Sequence, residues 1–466
     1  MELLRLCGSM YQEDTIAAIA TPPGEGGLAV VRISGPDAEK IALRIFIRPN
    51  NRNGKLRSHS LYHGQISDPH ELQPIDEVLL AIMRKPHSYT GEDVVEVHCH
   101  GGNFLVREIL ALILTQGARQ AEPGEFTKRA FLNGRVDLAQ AEAVLDLIRA
   151  RTAKGAQLAL NQASGELSKY VGDLREELLD IMVQVEAAID FPEEEIELLQ
   201  RHRLVEKIFA LVTKINSISD SYEWGRLFRE GATVCICGRP NVGKSSLLNA
   251  LLGTDRVIVT PVPGTTRDVI EESLNLDGLP IVIWDTAGIR DTDDQVEKLG
   301  VELSRQHLEK ADALVIVVDG SVELTPEDCA LLQNIGPKKV VIAVNKSDLP
   351  IVVDLHSISA NQQTKILGTS AISGAGIDSL KRTLRELILG CTIESPVTVT
   401  NLRHRSELVR SADSLTRATE TLNQGLPPEL AAIDLNDARE ALEEIIGVVC
   451  KDDILERIFS DFCIGK

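Results

Sequence analysis

A chain of 466 residues, 43% of them hydrophobic, has room for about three domains of ordinary size and none of the bias of a disordered or collagen-like sequence. Its 49 basic against 69 acidic residues leave a net charge of −20, which opposes nucleic acid at long range, so an RNA partner needs a local basic patch. No charge-free apolar run is long enough for a bilayer and MELLRLCGSM is too short for a signal peptide, which points to a soluble, cytoplasmic protein without a membrane anchor.

The first third reads as a compact α/β unit that starts from Met1 or Met10. GLAVVRISG is a short apolar strand carrying Arg32. DVVEVHCH alternates, so that Glu96, His98 and His100 share one face and Val95, Val97 and Cys99 the other. A polar strand face suggests a pocket. His98 and His100 lack nearby Cys or Asp partners at metal-ligand spacing, and HGG has no GxSxG nucleophile beside it. Asp137 followed by Gln140 forms a capping-box-like helix start, and the Ala/Leu/Glu-rich stretch to Asp190 keeps helical spacing with an interruption near Gly165. FPEEEIE after it reads as a solvated acidic turn.

The middle carries the chemistry. GRPNVGKSS follows the apolar ATVCI and precedes the helix-like SLLNALLG, the strand, Gly-rich loop and helix order that a phosphate-binding loop requires. Asn241, Val242, Gly243, Lys244, Ser245 and Ser246 form the phosphate cradle; Lys244 reaches the terminal phosphates and the Ser245 hydroxyl is placed for Mg²⁺. PVPGTTRD, with Thr265 and Thr266 shortly after Thr260, is a loop whose Thr266 closes on Mg²⁺ and the γ-phosphate only while that phosphate is present. IVIWDTAG ends a buried strand at Asp285, a direct or indirect Mg²⁺ partner, and brings Gly288 to sense the γ-phosphate. VVIAVNKSD ends in Asn345, Lys346 and Asp348. A carboxylate there accepts from the ring N–H and the exocyclic amino group of guanine, a donor pair adenine lacks, so the nucleotide is expected to be GTP. TSA adds Ser370 and Ala371 to the base pocket. Five motifs in this order predict a Ras-like P-loop GTPase domain.

One position departs from that pattern. After DTAG stands Ile289, which cannot hydrogen-bond water, where Ras-like proteins place a Gln, so hydrolysis must be organised differently. Asn241 either ligates a monovalent cation together with carbonyls of the Thr260–Thr265 segment or only shapes the loop. Glu297 either positions water or is a solvated helix charge.

Beyond Leu389 the chain turns helical through NLRHRSELVRSADSLTRATETL and LNDAREALEEIIG, and the simplest architecture packs this stretch on the earlier helices with the GTPase inserted between. Arg403, Arg405 and Arg410 are an RNA contact or a solvated helix face. The eight cysteines lack a CxxC pair and read as reduced thiols, mostly buried. FCIGK is no prenylation box, since it ends in Lys and lacks an upstream polybasic run. Cys463 is then either a buried small hydrophobe or part of a site.

GRPNVGKSS, GTTRD, DTAGIR and NKSD in this spacing resemble the GTPase domain of the MnmE (TrmE) family, the tRNA modification GTPases. TIAAIATPPGEGGLAVVRISG, SYTGEDVVEVHCHGG, PGEFTKRAFLNGRVDLAQAEAVLDLI and the ending FCIGK resemble it too, and the related ribosome-assembly GTPases do not carry these segments. The resemblance implies a multidomain α/β and all-α chain: an N-terminal α/β tetrahydrofolate-binding and dimerisation domain (1–133), a helical domain from two segments (134–230 and 390–466) and an inserted GTPase domain (231–389). It carries contacts to a tetrahydrofolate derivative, in its 5-formyl or methylene form, over to Arg32, Glu96, Arg135 and Lys466. Arg135 stands where the family accepts either basic residue. The same resemblance puts Cys463 beside the one-carbon unit as a candidate catalytic thiol. In the GTPase domain it implies Mg²⁺ at Ser245 and Thr266, K⁺ at Asn241, Thr260, Val262 and Thr265, and catalytic roles for Lys244 and Glu297. The implied activity is K⁺-stimulated GTP hydrolysis by a homodimer whose GTPase domains meet across their switch faces. It works with an FAD-dependent MnmG/GidA-like subunit, in a heterotetramer or larger complex with FAD on that partner. Together they place a carboxymethylaminomethyl or aminomethyl-type group on carbon 5 of the wobble uridine of certain tRNAs. Two other readings stay open: an RNA- or ribosome-assembly GTPase without modification chemistry, and a folate enzyme gated by GTP.

Overall fold

The computed structural model describes residues 14–48, 56–70, 73–190, 198–253, 271–285, 310–333, 338–354, 364–390, 397–450 and 452–466. The FPEEEIE turn, with Cys7 and Cys391, lies outside them. Two compact units make up the chain: one takes in the chain up to Leu145, Gln162–Leu211 and Arg410–Lys466, the other Asp146–Asn161 and Val212–Val409.

The first unit is built on a seven-stranded sheet. Its strands are β1 (Ile16–Ile19), β2 (Ala29–Ser34), β3 (Phe46–Ile47), β4 (Ser60–Ser67), β5 (Pro74–Met83), β6 (Val94–Cys99) and β7 (Arg119–Gln120), in the spatial order β3-β4-β5-β6-β2-β1-β7. The helices Ala38–Ile45 and Asn103–Thr115 bury Ile41, Ile45, Ile109 and Ile113 against Val31, Ile33, Leu80 and Val97 on one sheet face. The period of two in β2 and β6 therefore turns Arg32, Glu96 and His98 to the other face, and the antiparallel register sets Arg32 opposite Glu96. His100 falls just beyond the end of β6, exposed, with its Nδ1 2.7 Å from Asp76 Oδ1.

The helix Leu138–Arg149, which starts in this unit, opens on a reciprocal capping box: Asp137 N donates to Gln140 Oε1 (3.0 Å) and Gln140 N to Asp137 Oδ1 (2.8 Å). The helix Glu166–Asp190 buries Leu167, Val171, Leu174, Leu178 and Ile181, and packs on the helix Pro428–Ile446, which buries Leu435, Ala438, Leu442 and Ile445. Arg175 Nε reaches the enclosed Glu443 carboxylate at 2.7 Å across that seam. The helical stretch breaks at Gly165, where φ is +91°, and also between Arg149 and Ala153, a break that the spacing of apolar residues does not reveal.

The second unit holds a six-stranded sheet of β8 (Ala232–Cys237), β9 (Glu271–Leu276), β10 (Leu279–Asp285), β11 (Ala313–Asp319), β12 (Val340–Asn345) and β13 (Thr364–Gly368), ordered β13-β12-β11-β8-β10-β9. All neighbours are parallel except β9, which pairs antiparallel with β10. Parallel strands are covered on both faces and so read as unbroken apolar runs. Every residue of β11 and β12 is buried. The helices Lys244–Leu252 and Ile377–Leu389 cover one face through Leu247, Leu251, Leu380 and Leu384. The helix Tyr222–Arg229 belongs to this unit because Leu227 and Phe228 enter that core and Arg226 pairs with Asp312 at 2.7 Å.

Of the C-terminal arginines, Arg405 pairs with Glu223 at 3.1 Å and stacks over Tyr222, and Arg410 pairs with Glu444 at 3.2 Å. Acidic partners within each unit thus engage Arg405 and Arg410. Among the described residues no helix is long and apolar enough to cross a membrane. Cys99, Cys235 and Cys237 are buried, Cys329 and Cys450 are partly buried and Cys463 is exposed; all six are free thiols. The buried-hydrophobe reading of Cys463 is thereby corrected: Phe462 and Gly465 turn inward around it and leave its own side chain at the surface.

Candidate functional site

The carboxyl ends of β8, β11 and β12 converge on one edge of the second unit's sheet, where open α/β folds bind ligands. From Cys237 the chain runs through Gly238 (φ +149°), Asn241 (φ +63°) and Gly243 (φ +98°) into the helix starting at Lys244, with Ser245 and Ser246 in its first turn. Left-handed backbone before a helix N-terminus makes a concave row of N–H groups that suits phosphate. A Cβ on Gly243 would come within 3.0 Å of Asn345 Nδ2, so glycine is required there. Lys244 Nζ donates to Gly238 O (2.8 Å) and Arg239 O (2.9 Å).

The base side is tied to this loop through one residue. Asn345 Nδ2 donates to Val242 O (2.9 Å), while its Oδ1 accepts from Ala371 N (3.2 Å). Ser370 Oγ donates to Asp348 Oδ1 (2.6 Å), which orients the carboxylate, and Lys346 Nζ donates to Asp319 Oδ2 (2.5 Å). Burial pushes the Asp319 carboxyl up, but Lys346 and the Ser321 hydroxyl and N–H outweigh it and hold the group below the usual aspartate value. The structure therefore brings together Asn241, Val242, Gly243, Lys244, Ser245, Ser246, Asn345, Lys346, Asp348, Ser370 and Ala371. Thr260, Val262, Thr265, Thr266, Gly288 and Glu297 lie outside the described residues, as does the side chain of Asp285, whose backbone closes β10. Sequence reasoning missed Asp319, although it ends a buried strand just as Asp285 does. A cavity of about 230 Å³ at the opposite strand ends, lined by Trp224, Arg226, Asp312 and Lys339, has its charged groups already partnered and is separate from this edge.

The first unit gathers a second cluster on the open face of its sheet. Arg32 Nε and Nη2 both lie 2.9 Å from Glu96 Oε1, and the guanidinium stacks over Tyr89 and Phe126. Its Nη1 donates to Gly465 O (3.2 Å), 433 residues away, and Phe126 N donates to Lys466 O (3.2 Å). The tail FCIGK is thus docked on β1 and β2. Gly465 (φ +98°) passes so close to Ile19 O that no Cβ fits. Burial, reinforced by the Arg32 charge, holds the half-buried Lys466 ammonium below the usual lysine value, and Glu96 opposes this only in part. Arg135 stands one step away, with Nε donating to the carbonyl of Ser88, the neighbour of Tyr89. The aromatic floor of Tyr89 and Phe126 was not singled out from the sequence. Neither lies on a strand with a readable period.

Two family models match the chain: GTP-binding protein TrmE N-terminus over residues 15–135 and MnmE helical domain over residues 138–463. A tRNA modification GTPase MnmE of Syntrophotalea carbinolica is 49% identical over 461 residues, covering 98% of this chain and 100% of that protein. One of the same name from Natranaerobius thermophilus is 45% identical over 458 residues, covering 97% and 100%. Among solved structures, the G domain of the T. maritima FeoB iron transporter aligns with a TM-score of 0.26 at 27% identity, covering 34% of this chain and 98% of that one. With two family models spanning nearly all of it and relatives this similar along their whole length, the chain belongs to the MnmE (TrmE) family of tRNA modification GTPases.

Proposed function

We propose that this protein couples GTP hydrolysis to the placing of a carboxymethylaminomethyl or aminomethyl-type group on carbon 5 of the wobble uridine of tRNA. It does so in the cytoplasm as a homodimer, with an FAD-dependent partner subunit and a folate one-carbon unit. The observation that carries this reading is the tail docking, which gives a GTPase chain a second site with two cations, Arg32 and Lys466, around one carboxylate, Glu96.

That excess of positive charge in a half-buried setting fits a ligand carrying carboxylates, as a tetrahydrofolate does. The derivative, when bound, supplies the one-carbon unit. Arg32, Arg135 and Lys466 serve as its carboxylate and carbonyl partners, Glu96 accepts from its amide edge, and the exposed Cys463 is the nearby thiol. At the other site the cradle closed off by Gly243 fits phosphates. Asp348 selects guanine, Lys244 binds the terminal phosphates, Ser245 with Thr266 is the pair for Mg²⁺, and Asn241 with Thr260, Val262 and Thr265 is the set for K⁺. These cations, when bound, supply the positive charge that an arginine finger gives elsewhere. Glu297 orients the attacking water. The test is the nucleoside content of tRNA from a deletion strain: loss of the wobble modification, restored by the wild-type chain and not by Arg32→Ala, is expected, and normal wobble uridines in the deletion strain would reject the reading.

A further inference from the structure

Arg239 lies inside the phosphate loop, yet its side chain turns away toward a helix 89 residues further on: Arg239 Nε donates to Asp328 Oδ2 at 3.1 Å. The Asp328 side chain is 2% exposed. The same Oδ2 accepts from Thr325 N (3.1 Å) and Thr325 Oγ1 (2.8 Å), and Oδ1 is buried without a hydrogen-bond partner. A carboxylate so enclosed is costly unless a cation faces it, and breaking such a pair leaves an uncompensated charge. Asp328 sits in the first turn of the helix Pro326–Gln333, whose N-terminal end attracts a carboxylate. The acceptor is therefore fixed from its own side, and it anchors Arg239.

The backbone of this arginine also holds Lys244. Arg239 O and Gly238 O are the two carbonyls that receive Lys244 Nζ, at 2.9 and 2.8 Å. Gly238 is pressed so closely on Val317 O that a Cβ there would come within 3.0 Å of it. The loop entrance is thus pinned at two points, to the backbone of β11 through Gly238 and to the helix beyond β11 through Arg239.

We infer that the Arg239–Asp328 pair is a positioning brace for the phosphate loop, which sets nucleotide affinity by fixing the carbonyls that aim the three-donor Lys244 ammonium at phosphate. Neither side chain touches nucleotide in this reading. Because GDP and GTP meet the same loop entrance, loosening the brace weakens both alike and leaves the chemical step alone, the pattern of lost uniform binding.

The test uses the full-length chain with Arg239→Ala, Asp328→Asn and the double variant, reading the Kd of a fluorescent GDP analogue, the KM and kcat of GTP hydrolysis, and the nucleotide-free melting temperature. About a tenfold rise in Kd and KM in each single variant is expected, with kcat within about twofold. The double variant should be no worse than the weaker single, since both remove one interaction. Arg239→Lys, which keeps the charge with a single-point donor, should recover part of the affinity. GDP affinity at the wild-type level in Asp328→Asn, a fall in kcat in place of Kd, or losses that multiply in the double variant would each overturn the inference. A lower melting temperature with unchanged Kd would assign the pair to fold stability alone and overturn it too.

Discussion

Replacing Gly465 by Ala probes the tail without touching Arg32, Glu96, Cys463 or the Lys466 side chain. At φ +98° an alanine carries strain of about 1–2 kcal/mol. Its Cβ would also lie within 3.0 Å of Ile19 O and at 3.0 Å from Ala20 Cα, a backbone clash that adds about 1–3 kcal/mol if nothing moves. The tail can escape by lifting off, at the loss of the charge-assisted Arg32 bond to Gly465 O, about 1.5–3 kcal/mol, and the Phe126 bond to Lys466 O, about 0.5–1.5 kcal/mol. The two routes cost similar amounts, about 2–5 kcal/mol, so lifting off competes with the clash and displaces Lys466. Since 1.4 kcal/mol is tenfold in affinity, binding of 5-formyltetrahydrofolate to the full-length chain, followed by calorimetry, should weaken at least tenfold. GTP hydrolysis should stay within about twofold, and the melting temperature should change little, because only a terminal segment yields. Wild-type folate affinity in Gly465→Ala would refute the claim that tail docking completes the site.

Three further outcomes are expected. GTP turnover in K⁺ should greatly exceed that in Na⁺, and Asn241→Ala should abolish the difference; equal wild-type rates in the two salts would dismiss the cation assignment. Asp348→Asn exchanges a charged acceptor for a neutral one and should weaken GTP binding by about 10- to 100-fold, the worth of a charge-assisted hydrogen bond, while leaving the melting temperature within a few degrees; unchanged affinity by equilibrium dialysis would remove Asp348 from the base pocket. The Asp319 carboxyl has a folded-state value below its unfolded one, so its contribution to stability is complete above about pH 4 and is lost as pH falls through the folded value. Asp319→Asn should therefore flatten the acid limb of the unfolding profile, and a limb as steep as wild type would count against the Lys346 pairing as its source.

What could be read from the sequence was local chemistry. The phosphate loop was legible because a strand, a Gly-rich turn and a helix follow one another within about twenty residues, and Asp137 with Gln140 because a capping box spans one helical turn. Arg32 and Glu96 could be placed on polar strand faces by the period of two, but their facing each other across β2 and β6 depends on a register between segments 64 residues apart. The exposure of Cys463 and the break between Arg149 and Ala153 escaped for a related reason. Short apolar segments look alike whether a distant element covers them or not. Arg239 carried no signal at all, since its partner Asp328 reads as an ordinary acidic residue in the first turn of a helix.

The Arg32–Gly465 bond has a consequence in time. At roughly 5–20 residues per second of synthesis, the 433 residues between its ends take about 20 to 90 seconds to emerge. The N-terminal sheet can fold early, with Arg32 already paired to Glu96, but the pocket on its open face stays unfinished until the whole GTPase has been made. A chain released partway would hold the strands and the helices that cover them but lack the tail, so Arg32 would keep Glu96 and have no Gly465 carbonyl to reach. The last step in building the site thus certifies that everything upstream has been translated.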